Sequence, residues 1–367
     1  MVRLTYTAAA MVRQRSCTTL TRITVFLAAM TISGCASGQT GSGPSPAPTP
    51  SGPEQATIKV GQRAGVAVAG QGAIWVPNTG DGTVSRINPS TNRVVATITI
   101  GNQLAFYQRE CEAKGSVHSF MGTSFHVRDC DLPSALATGT GALWVLKNDD
   151  QTVLRIDPTS RRVLARIALG FVPFDIAATD KAVWISGYWE DQLVRVDPST
   201  NQVVARLTLP DGASGIAASD QAVWVASTIA GVVSRVDPSD NRVIATVRLD
   251  CPTECYQGSM PLAVTTTPDA AWVRTVGDGL LVRIDPNTNR AVATVDVSYS
   301  LGRSGQDHLG VLDGLVWVAG SGLQRVDPTT NRVTGLINVD ATGVTSGFGS
   351  LWVTALSGRI LRIQPTV

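Results

Sequence analysis

The sequence is poor in charged and aromatic residues and has very few histidines. Charged residues make up 16% of the 367 residues, aromatic residues 5%, and there are three histidines, whereas hydrophobic residues reach 43% and glycine is frequent. This composition is typical of a globular protein rich in β-strands and turns, and it excludes a disordered chain. Three histidines offer little material for acid–base chemistry.

The chain also lacks a basic surplus once its first residues are set aside. The formal net charge is +2, but Arg3, Arg13, Arg15 and Arg22 precede Cys35 in a stretch without acidic residues. Without these four arginines, 26 basic residues face 28 acidic ones, which leaves a net charge near −2. Nucleic acid is therefore excluded as a partner, because its recognition requires a basic patch.

Residues 1–34 have the three parts of an export signal: an arginine-bearing start, an apolar stretch and an exit of small residues. The apolar stretch, Ile23 to Ile32, is too short to span a bilayer as a helix. The exit, Ile32-Ser-Gly-Cys35, resembles the lipobox of bacterial lipoproteins. That resemblance implies removal of 1–34, diacylation of Cys35 and anchoring on the extracytoplasmic side of a bacterial membrane. The alternative is an ordinary secretory leader with an incidental cysteine.

The segment after Cys35 has the composition of a tether. Residues 36–55 are rich in Ser, Gly and Pro, including Pro44-Ser-Pro-Ala-Pro-Thr-Pro50. Proline favours extended polyproline geometry, in which these residues reach up to ~60 Å. We therefore expect 35–55 to hold a globular head, 56–367, away from the membrane.

Four cysteines lie in the head, and they allow three pairings. Pairing within the long loops is favoured, because each local pair falls inside one loop; these pairs are Cys111 with Cys130 and Cys251 with Cys255. Neither pair has the Cys-x-x-Cys spacing of a zinc site. We expect disulfides in an oxidising compartment, and no metal or cofactor.

Seven tryptophans occupy the same place in a recurring phrase. Each lies in an apolar run and is followed, usually 11 residues later, by an arginine that begins Arg-Ile/Val-Asp/Asn-Pro or a close variant. The seven are Trp75, Trp144, Trp184, Trp224, Trp272, Trp317 and Trp352. A repeat near forty residues indicates a propeller or solenoid, because one repeat cannot bury both of its faces alone.

A single copy of the repeat predicts a propeller blade. Between 174 and 208, four β-prone runs, near 174–178, 182–186, 192–196 and 203–208, are separated by turn residues. Four antiparallel strands per repeat form a blade. The predicted fold is all-β: a seven-bladed β-propeller whose repeated tryptophans pack between adjacent blades.

The ends of the chain predict how the ring closes. The last repeat stops at Val367 without a fourth strand, while residues 56–60 match fourth-strand segments such as 96–100. We expect the strand after the tether to complete the seventh blade, which leaves no open sheet edge.

The repeats resemble the YVTN-type β-propeller family of exported bacterial proteins. The matching segments are the Trp-Val strand, the Val-x-Arg-Ile-Asp-Pro-x-Thr-Asn turn and the Val-Val-Ala-Thr-Ile strand. The resemblance covers nearly the whole head. It implies the blade architecture and says little about function.

Features shared by all blades serve the structure, whereas a functional site is single and belongs where the copies diverge. The third-strand arginines are shared, so we expect them to pair with an Asp or carbonyl of the neighbouring blade. The spacing between copies increases before the second, fifth and sixth blades, always between an outer strand and the next inner strand. Such connections share one face with the second-to-third-strand hairpins, and this face surrounds the channel mouth.

The candidate ligand residues come from this face. They lie in the insertion 102–133, in two shorter insertions near 251–258 and 298–308, before the inner strand of the third blade, and in that blade's aromatic hairpin. They are Tyr107, His118, His126, Phe174, Asp175, Tyr188, Trp189, Glu190, Glu254, Tyr256, Arg303, Asp307 and His308.

A rigid scaffold with variable loops favours a monomeric binding module for a protein, peptide or glycan, and no catalytic residue is assigned. The alternative is a propeller enzyme, a metal-assisted lyase or hydrolase, with a His/carboxylate site on the same face. Virginiamycin B lyase is a similar propeller that uses a His–Glu pair and a metal. This chain lacks that family's Gly-Pro-Asp-Gly-x-Leu-Trp-Phe phrase, and it has no Gly-x-Ser-x-Gly or His-Glu-x-x-His motif.

Overall fold

The computed structural model describes residues 54–101, 116–120, 123–127, 133–148, 150–250, 258–297, 309–355 and 358–365. These residues belong to one unit, Pro50–Val367. Over these ranges there is no helix that could cross a membrane. The predicted signal peptide 1–34, the lipidated Cys35, residues 36–53 of the tether and all six cysteines lie outside the described residues.

The described residues form seven four-stranded antiparallel sheets and one separate hairpin. The first strands are β1 (Glu54–Lys59), then β2 (Val68–Gly70), β3 (Ala73–Asn78), β4 (Thr83–Asn88) and β5 (Arg93–Thr99) in blade 1. The hairpin is β6 (Ser116–Phe120) and β7 (Thr123–Val127). Blade 2 is β8 (Pro133–Gly139), β9 (Ala142–Lys147), β10 (Thr152–Ile156) and β11 (Val163–Ala168).

The remaining blades repeat this order along the chain. Blade 3 is β12 (Ile176–Ala178), β13 (Val183–Gly187), β14 (Gln192–Asp197) and β15 (Gln202–Thr208). Blade 4 is β16 (Ala213–Ala218), β17 (Val223–Ser227), β18 (Val232–Asp237) and β19 (Arg242–Arg248). Blade 5 is β20 (Pro261–Thr267), β21 (Ala270–Thr275), β22 (Leu280–Asp285) and β23 (Arg290–Asp296). Blade 6 is β24 (Leu309–Leu312), β25 (Leu315–Gly320), β26 (Gly322–Asp327) and β27 (Arg332–Ile337), and blade 7 begins with β28 (Gly343–Gly347), β29 (Ser350–Ala355) and β30 (Arg359–Ile363).

The first strand of each blade lines the centre of a closed ring. These inner strands contact one another in the order β2, β8, β12, β16, β20, β24, β28 and back to β2. The predicted all-β, seven-bladed propeller is confirmed. Each four-stranded blade buries one face against the preceding blade and the other against the next.

Blade 7 takes its fourth strand from the beginning of the head. Strand β1 pairs antiparallel with β30, with Glu54 opposite Ile363 and Lys59 opposite Arg359. This pairing is consistent with the predicted ring closure. The strand begins at Glu54, two residues inside the range predicted as tether, and its register shifts between Glu54 and Ala56.

The repeated tryptophans fill the spaces between blades. All seven are 3% exposed or less. Trp184 of blade 3 packs in one cluster with Val223 and Val225 of blade 4, and Trp352 of blade 7 packs with Ile74 of blade 1. A buried indole contributes a large apolar area, so these side chains are central to the attachment of one blade to the next.

The repeated arginines link each blade to the next through the third-to-fourth-strand turns. In six blades the guanidinium lies 5.2–5.7 Å from the ring centre of the blade's own tryptophan. In five blades it also donates to a proline carbonyl and an asparagine Oδ1 of the next blade; for Arg195 these are Pro238, at 3.1 Å, and Asn241, at 2.9 Å. The other four donors are Arg155, Arg235, Arg283 and Arg362. The expected pairing with a neighbouring carbonyl is confirmed; the second acceptor is an asparagine instead of an Asp.

Two arginines depart from this arrangement, and each has a local cause. Arg325 of blade 6 donates to Thr334 of its own blade, at 3.1 Å from Nε to Oγ1, because blade 7 is closed by a separate strand and has no such turn. Within the described residues, Arg86 makes no hydrogen bond to blade 2, whose turn carries Arg161 at the asparagine position.

The aspartates of these turns accept hydrogen bonds from their own turn. Asp197 Oδ1 accepts from the Ser199 amide and hydroxyl, both at 2.7 Å. The Ser199 hydroxyl, and after it the Ser199 amide, lower the pKa of Asp197 below its ordinary value. The same kind of hydrogen bonding lowers the pKa of four further turn aspartates: Asp157, Asp237, Asp285 and Asp327. The carboxylates of these aspartates thus stabilise the turns in which they lie.

Candidate binding face

The blades define two faces of the ring. On the loop face lie the second-to-third-strand hairpins and the connections from an outer strand to the next inner strand. On the turn face lie the first-to-second-strand hairpins and the third-to-fourth-strand turns. The three predicted insertions connect β5 to β8, β19 to β20 and β23 to β24, so they begin and end on the loop face.

The longest insertion contains the β6–β7 hairpin. Its register pairs His118 with Phe125 and His126 with Val117. The two predicted histidines are therefore neighbours on adjacent strands but are not cross-strand partners. The hairpin is short and antiparallel.

Aromatic side chains cluster on the loop face of blade 3. The Phe174 and Tyr188 ring centres are 5.2 Å apart, and the Tyr188 and Trp189 centres are 4.9 Å apart with an edge-on geometry. Tyr188 is 7% exposed and Trp189 is 37% exposed. Trp189 is the one exposed tryptophan among the eight of the chain. The aromatic contacts hold its ring on a packed base, as required of a preformed recognition surface.

Tyr188 is held in its neutral form over a wide pH range. Burial, and secondarily the negative charge of Asp191, raises the pKa of Tyr188 to about 12. The phenol is therefore unsuited to act as a proton acceptor near neutral pH. This supports a packing role for Tyr188 beneath Trp189.

Asp175 is buried, at 4% exposure, although it was expected to face the ligand. Its Oδ1 accepts from the Ile176 amide at 2.8 Å, and its Oδ2 accepts from the Ile216 amide of blade 4 at 3.0 Å. The geometry thus gives Asp175 the role of joining blades 3 and 4.

A continuous rim connects the hairpins of blades 3 and 4. Asp191 Oδ1 accepts from the Gly212 amide at 2.7 Å, and the Gly212 carbonyl accepts from the Thr228 amide at 2.9 Å. Glu190 and Asp211 are exposed on this rim, and Ile229 is 53% exposed. The rim therefore places carboxylates and an apolar side chain next to the aromatic cluster.

Buried hydroxyl groups link blades 3, 4 and 5 beneath the hairpins of the loop face. Ser186 Oγ donates to the Ser214 carbonyl at 2.7 Å, and Thr228 Oγ1 donates to the Pro261 carbonyl at 2.7 Å and lies 2.8 Å from Ser214 Oγ. These bonds join blades 3, 4 and 5. A satisfied buried network of this kind fixes the positions of the elements that it links.

Sequence reasoning missed two buried cations on the loop face. Lys147 is 2% exposed and its Nζ lies 2.8 Å from Asp150, while Arg274 is fully buried and donates to the Ala319 carbonyl of blade 6. They follow the repeat tryptophans by three and two residues, at positions where the other blades carry neutral side chains. Comparing the seven copies position by position could have found both.

Several predicted residues lie outside the described residues: Tyr107, Glu254, Tyr256, Arg303, Asp307 and His308. The predicted disulfide partners Cys111, Cys130, Cys251 and Cys255 lie outside them as well. Over the described ranges, no group of three or more His, Cys, Asp or Glu residues could hold a metal ion.

Comparison with known proteins identifies the fold. No family model and no curated protein matches the chain. A solved streptogramin B lyase structure is similar with a TM-score of 0.59 and 16% identity, covering 85% of this chain and 94% of that one. The β-propeller domain of Cps50 (Swd1) from Myceliophteria thermophila is similar with a TM-score of 0.62 and 13% identity, covering 85% of this chain and 99% of that one. At these identities the likeness shows that the chain is a seven-bladed β-propeller.

Proposed function

We propose that this protein is a binding scaffold that recognises a protein or peptide partner through its loop face at the channel mouth. The observation that carries the proposal is the aromatic cluster of blade 3, in which the exposed Trp189 packs on the buried Tyr188, on the face that also receives the three insertions. Exposed aromatic side chains on a packed base are typical of recognition surfaces. The polar groups described on the turn face, in contrast, form hydrogen bonds within a blade or between neighbouring blades.

We further propose that the head is lipid-anchored through Cys35 on the extracytoplasmic side of a bacterial membrane, as a monomeric propeller with YVTN-type repeats. The basic, apolar and small-residue parts of 1–34 support export, and the Pro-rich 36–55 supports a tether. In its bacterial host, radiolabelled palmitate should label the protein, and Cys35→Ser should abolish the labelling. Equal labelling of the variant would contradict the anchor.

The loop-face proposal is tested by capture from detergent-solubilised host membranes. The wild-type protein is compared with a variant lacking 102–132 and with Lys181→Ala, which changes an exposed ion pair on the turn face. Loss of captured partners with the deletion alone supports the proposal. Capture that is unchanged by the deletion, in a variant with a wild-type melting temperature, contradicts the role of this insertion.

The likeness to a streptogramin B lyase favours a second candidate, a propeller enzyme on the same face. Its candidate groups are His118, His126, Glu190, Glu254, Asp307 and His308. The test is the melting temperature with divalent metals. A large, metal-specific increase that His308→Ala abolishes would favour the enzyme, whereas no increase from any metal would argue against it.

A further inference from the structure

We propose that one sector of the turn face lies on the anionic surface of a phospholipid membrane, so that the loop face points away from that membrane. The sector consists of the turn-face hairpins and turns of blades 7, 1 and 2, and we call it the basic sector. The residues that carry the argument are Arg86, Arg93, Arg161, Arg162 and Phe348. The proposal rests on the proposed membrane anchor and adds a second contact with the same membrane.

The chain enters the ring at the turn face of blade 7. Glu54, the first residue of β1, lies opposite Ile363, the last residue of β30. Because β30 runs from the loop face to the turn face, β1 begins at the turn face. The predicted tether therefore joins the ring next to the basic sector, and at about 3.1 Å per residue it keeps this corner within about 60 Å of the anchor.

Blades 1 and 2 depart from the repeat on this face, and each departure removes a negative charge or adds a positive one. The hairpins of blades 3–6 carry an aspartate, whereas those of blades 1 and 2 carry Gln71 and Thr140 instead. The turn of blade 1 begins with Asn88, where five other turns begin with aspartate. The turn of blade 2 carries Arg161, where five others carry asparagine. Four departures in adjacent blades and in one direction point to a site, because ring assembly makes the same demand on every blade.

These departures reverse the charge of the turn face locally. The hairpins and turns of blades 1 and 2 contain three basic residues and one acidic residue, a net charge of +2. The equivalent segments of blades 3–6 contain four basic and nine acidic residues, a net charge of −5. The segments counted in blades 1 and 2 are 70–73, 88–93, 139–142 and 157–162. An anionic surface attracts blades 1 and 2 and repels blades 3–6, so the ring tilts towards the corner where the tether enters.

The arginines of the basic sector have their charge available for a ligand. Arg93, Arg161 and Arg162 are exposed, and none of them takes part in an ion pair within the described ranges. The carboxylate of Asp157 accepts from two amides of its own turn, at 2.8 and 2.6 Å. Guanidinium groups bind phosphate oxygens through paired hydrogen bonds, so these side chains fit lipid headgroups.

The seam between blades 1 and 2 lacks an acceptor that other seams contain. Between blades 3 and 4, Arg195 donates to Asn241 at 2.9 Å. The equivalent residues here are Arg86 and Arg161, two cations. Over the described residues, the Arg86 guanidinium stacks on Trp75, and its buried Nε has no hydrogen-bond partner. An anionic headgroup at this seam supplies the missing acceptor and reduces the repulsion between the two arginines.

Phe348 gives the sector an apolar contact for the membrane interface. It lies in the β28–β29 hairpin of blade 7 and is 46% exposed. The neighbouring Gly347 packs directly against Ala69 of blade 1, and Thr138 of blade 2 donates to the Ala69 carbonyl at 2.9 Å. The three hairpins are thus in contact with one another. Basic and aromatic side chains on one continuous surface are typical of contacts with a bilayer interface. A free phosphate ion, in contrast, would be too small to reach Phe348 and the exposed arginines together.

The first experiment measures co-sedimentation with vesicles of phosphatidylcholine alone or with an equal part of phosphatidylglycerol. It uses the mature chain without acyl groups, residues 36–367, because acyl chains alone would hold it on either vesicle. We expect binding to the phosphatidylglycerol vesicles only, decreasing with salt. The triple variant Arg93→Gln/Arg161→Asn/Arg162→Gln should bind about a hundredfold more weakly, at about fivefold per arginine. Phe348→Ala should weaken binding about threefold.

The matched control is Arg242→Gln/Arg290→Gln/Arg332→Gln, which removes the same charge from the turns of blades 4–6 and should change binding less than about threefold. Both triple variants should keep their fold, because the turn of blade 3 carries Asn201 and Gln202 at these positions. If the first triple variant melts early, Arg93→Gln alone, about fivefold weaker, carries the test.

Equal losses in the two triple variants, or no binding to phosphatidylglycerol vesicles, would overturn the proposal. So would inorganic phosphate that displaces the protein better than chloride at the same ionic strength, because it would indicate a site for the free ion. Failure of the anchor would appear as lost palmitate labelling, and failure of the basic sector as lost vesicle binding, so the two are distinguishable.

A second experiment tests the orientation on the lipidated protein in phosphatidylglycerol vesicles. An epitope tag is inserted after Gln71 on the turn face of blade 1, or after Gln221 at the equivalent position of blade 4. We expect an antibody to bind the blade 4 tag several-fold better than the blade 1 tag on vesicles, and both equally in detergent. Equal binding to both tags on vesicles would contradict the tilt towards blades 7, 1 and 2.

Discussion

The turn face and the loop face are built from the same seven blades but use their polar groups differently. On the turn face, Asp197 accepts hydrogen bonds from its own turn and Asn241 accepts one from Arg195 of the preceding blade. On the loop face, Glu190 and Asp211 are exposed beside an exposed indole. A repeated position meets the need of every blade, whereas a position that occurs once does not serve a need shared by all blades. The difference is the basis for proposing that the turn face serves assembly and the loop face serves recognition.

Two tryptophans five residues apart give the largest expected difference between these roles. Trp184 is fully buried between blades 3 and 4, and Trp184→Ala should cost about 3–5 kcal/mol of unfolding free energy. Trp189→Ala should cost about 1 kcal/mol or less, because its ring is partly exposed. Denaturant unfolding followed by circular dichroism measures both. Comparable losses would show that Trp189 is a structural residue.

The interblade arginines should differ according to their contacts. Arg195→Ala removes two hydrogen bonds to blade 4 and a cation–π contact, so we expect a loss of about 2–3 kcal/mol. Arg325→Ala removes contacts within blade 6 alone and should cost about 1 kcal/mol. The midpoints of denaturant unfolding give the comparison. Equal losses would mean that the contacts between blades add nothing to those within a blade.

The irregular turn of blade 2 offers a stabilising substitution. Arg161 has a left-handed backbone with φ of 63°, where the other turns carry asparagine. Arg161→Asn should stabilise by about 0.5–1 kcal/mol, because asparagine tolerates this conformation and offers Arg86 an acceptor. The reverse change, Asn241→Arg, should destabilise blade 4. Opposite signs of the two shifts in melting temperature would confirm the role of the asparagine.

The turn face should show its own response to acid. Hydrogen bonds lower the folded-state pKa of Asp197, so its contribution to stability is present above its unfolded pKa near 4 and is lost as pH falls through the folded pKa. Asp197→Asn should reduce this acid-dependent loss and change the melting temperature little at neutral pH, because Asn88 forms the same turn in blade 1. Melting temperatures between pH 2 and 6 test this; an unchanged acid dependence would contradict it.

On the loop face, we expect the stability contribution of Tyr188 to be lost at alkaline pH, an effect smaller than the acid response of the turn face. Tyr188 has a pKa near 12, so its stabilising contribution is complete below the unfolded pKa of about 10 and is lost as pH rises through 12. Absorbance at 295 nm should show a late-ionising phenol that disappears in Tyr188→Phe. Asp191→Asn should lower that pKa only in part, because burial is the larger cause. Ionisation of every tyrosine near pH 10 would contradict the packing of Tyr188.

The sequence predicted the architecture because the same pattern of strand and turn residues recurs in each blade. The strands predicted near 182–186 and 192–196 lie at Val183–Gly187 and Gln192–Asp197. The part of the candidate site that could be anticipated is the aromatic hairpin, Tyr188 and Trp189, which interrupts the repeat. The burial of Asp175 was not anticipated, because its partner, the Ile216 amide, is 41 residues away on another blade and leaves no local pattern.

What the sequence determined by itself is the number of blades, the order of their strands and the turns that join them, because these follow from residues close together in the chain. The tertiary structure decided which side chains meet between blades. It left Arg325 bonded within its own blade, buried Lys147 and Arg274, and joined the hairpins that carry Trp189 and Ile229. These outcomes depend on how a closed ring brings distant segments together, and no short-range pattern records that geometry.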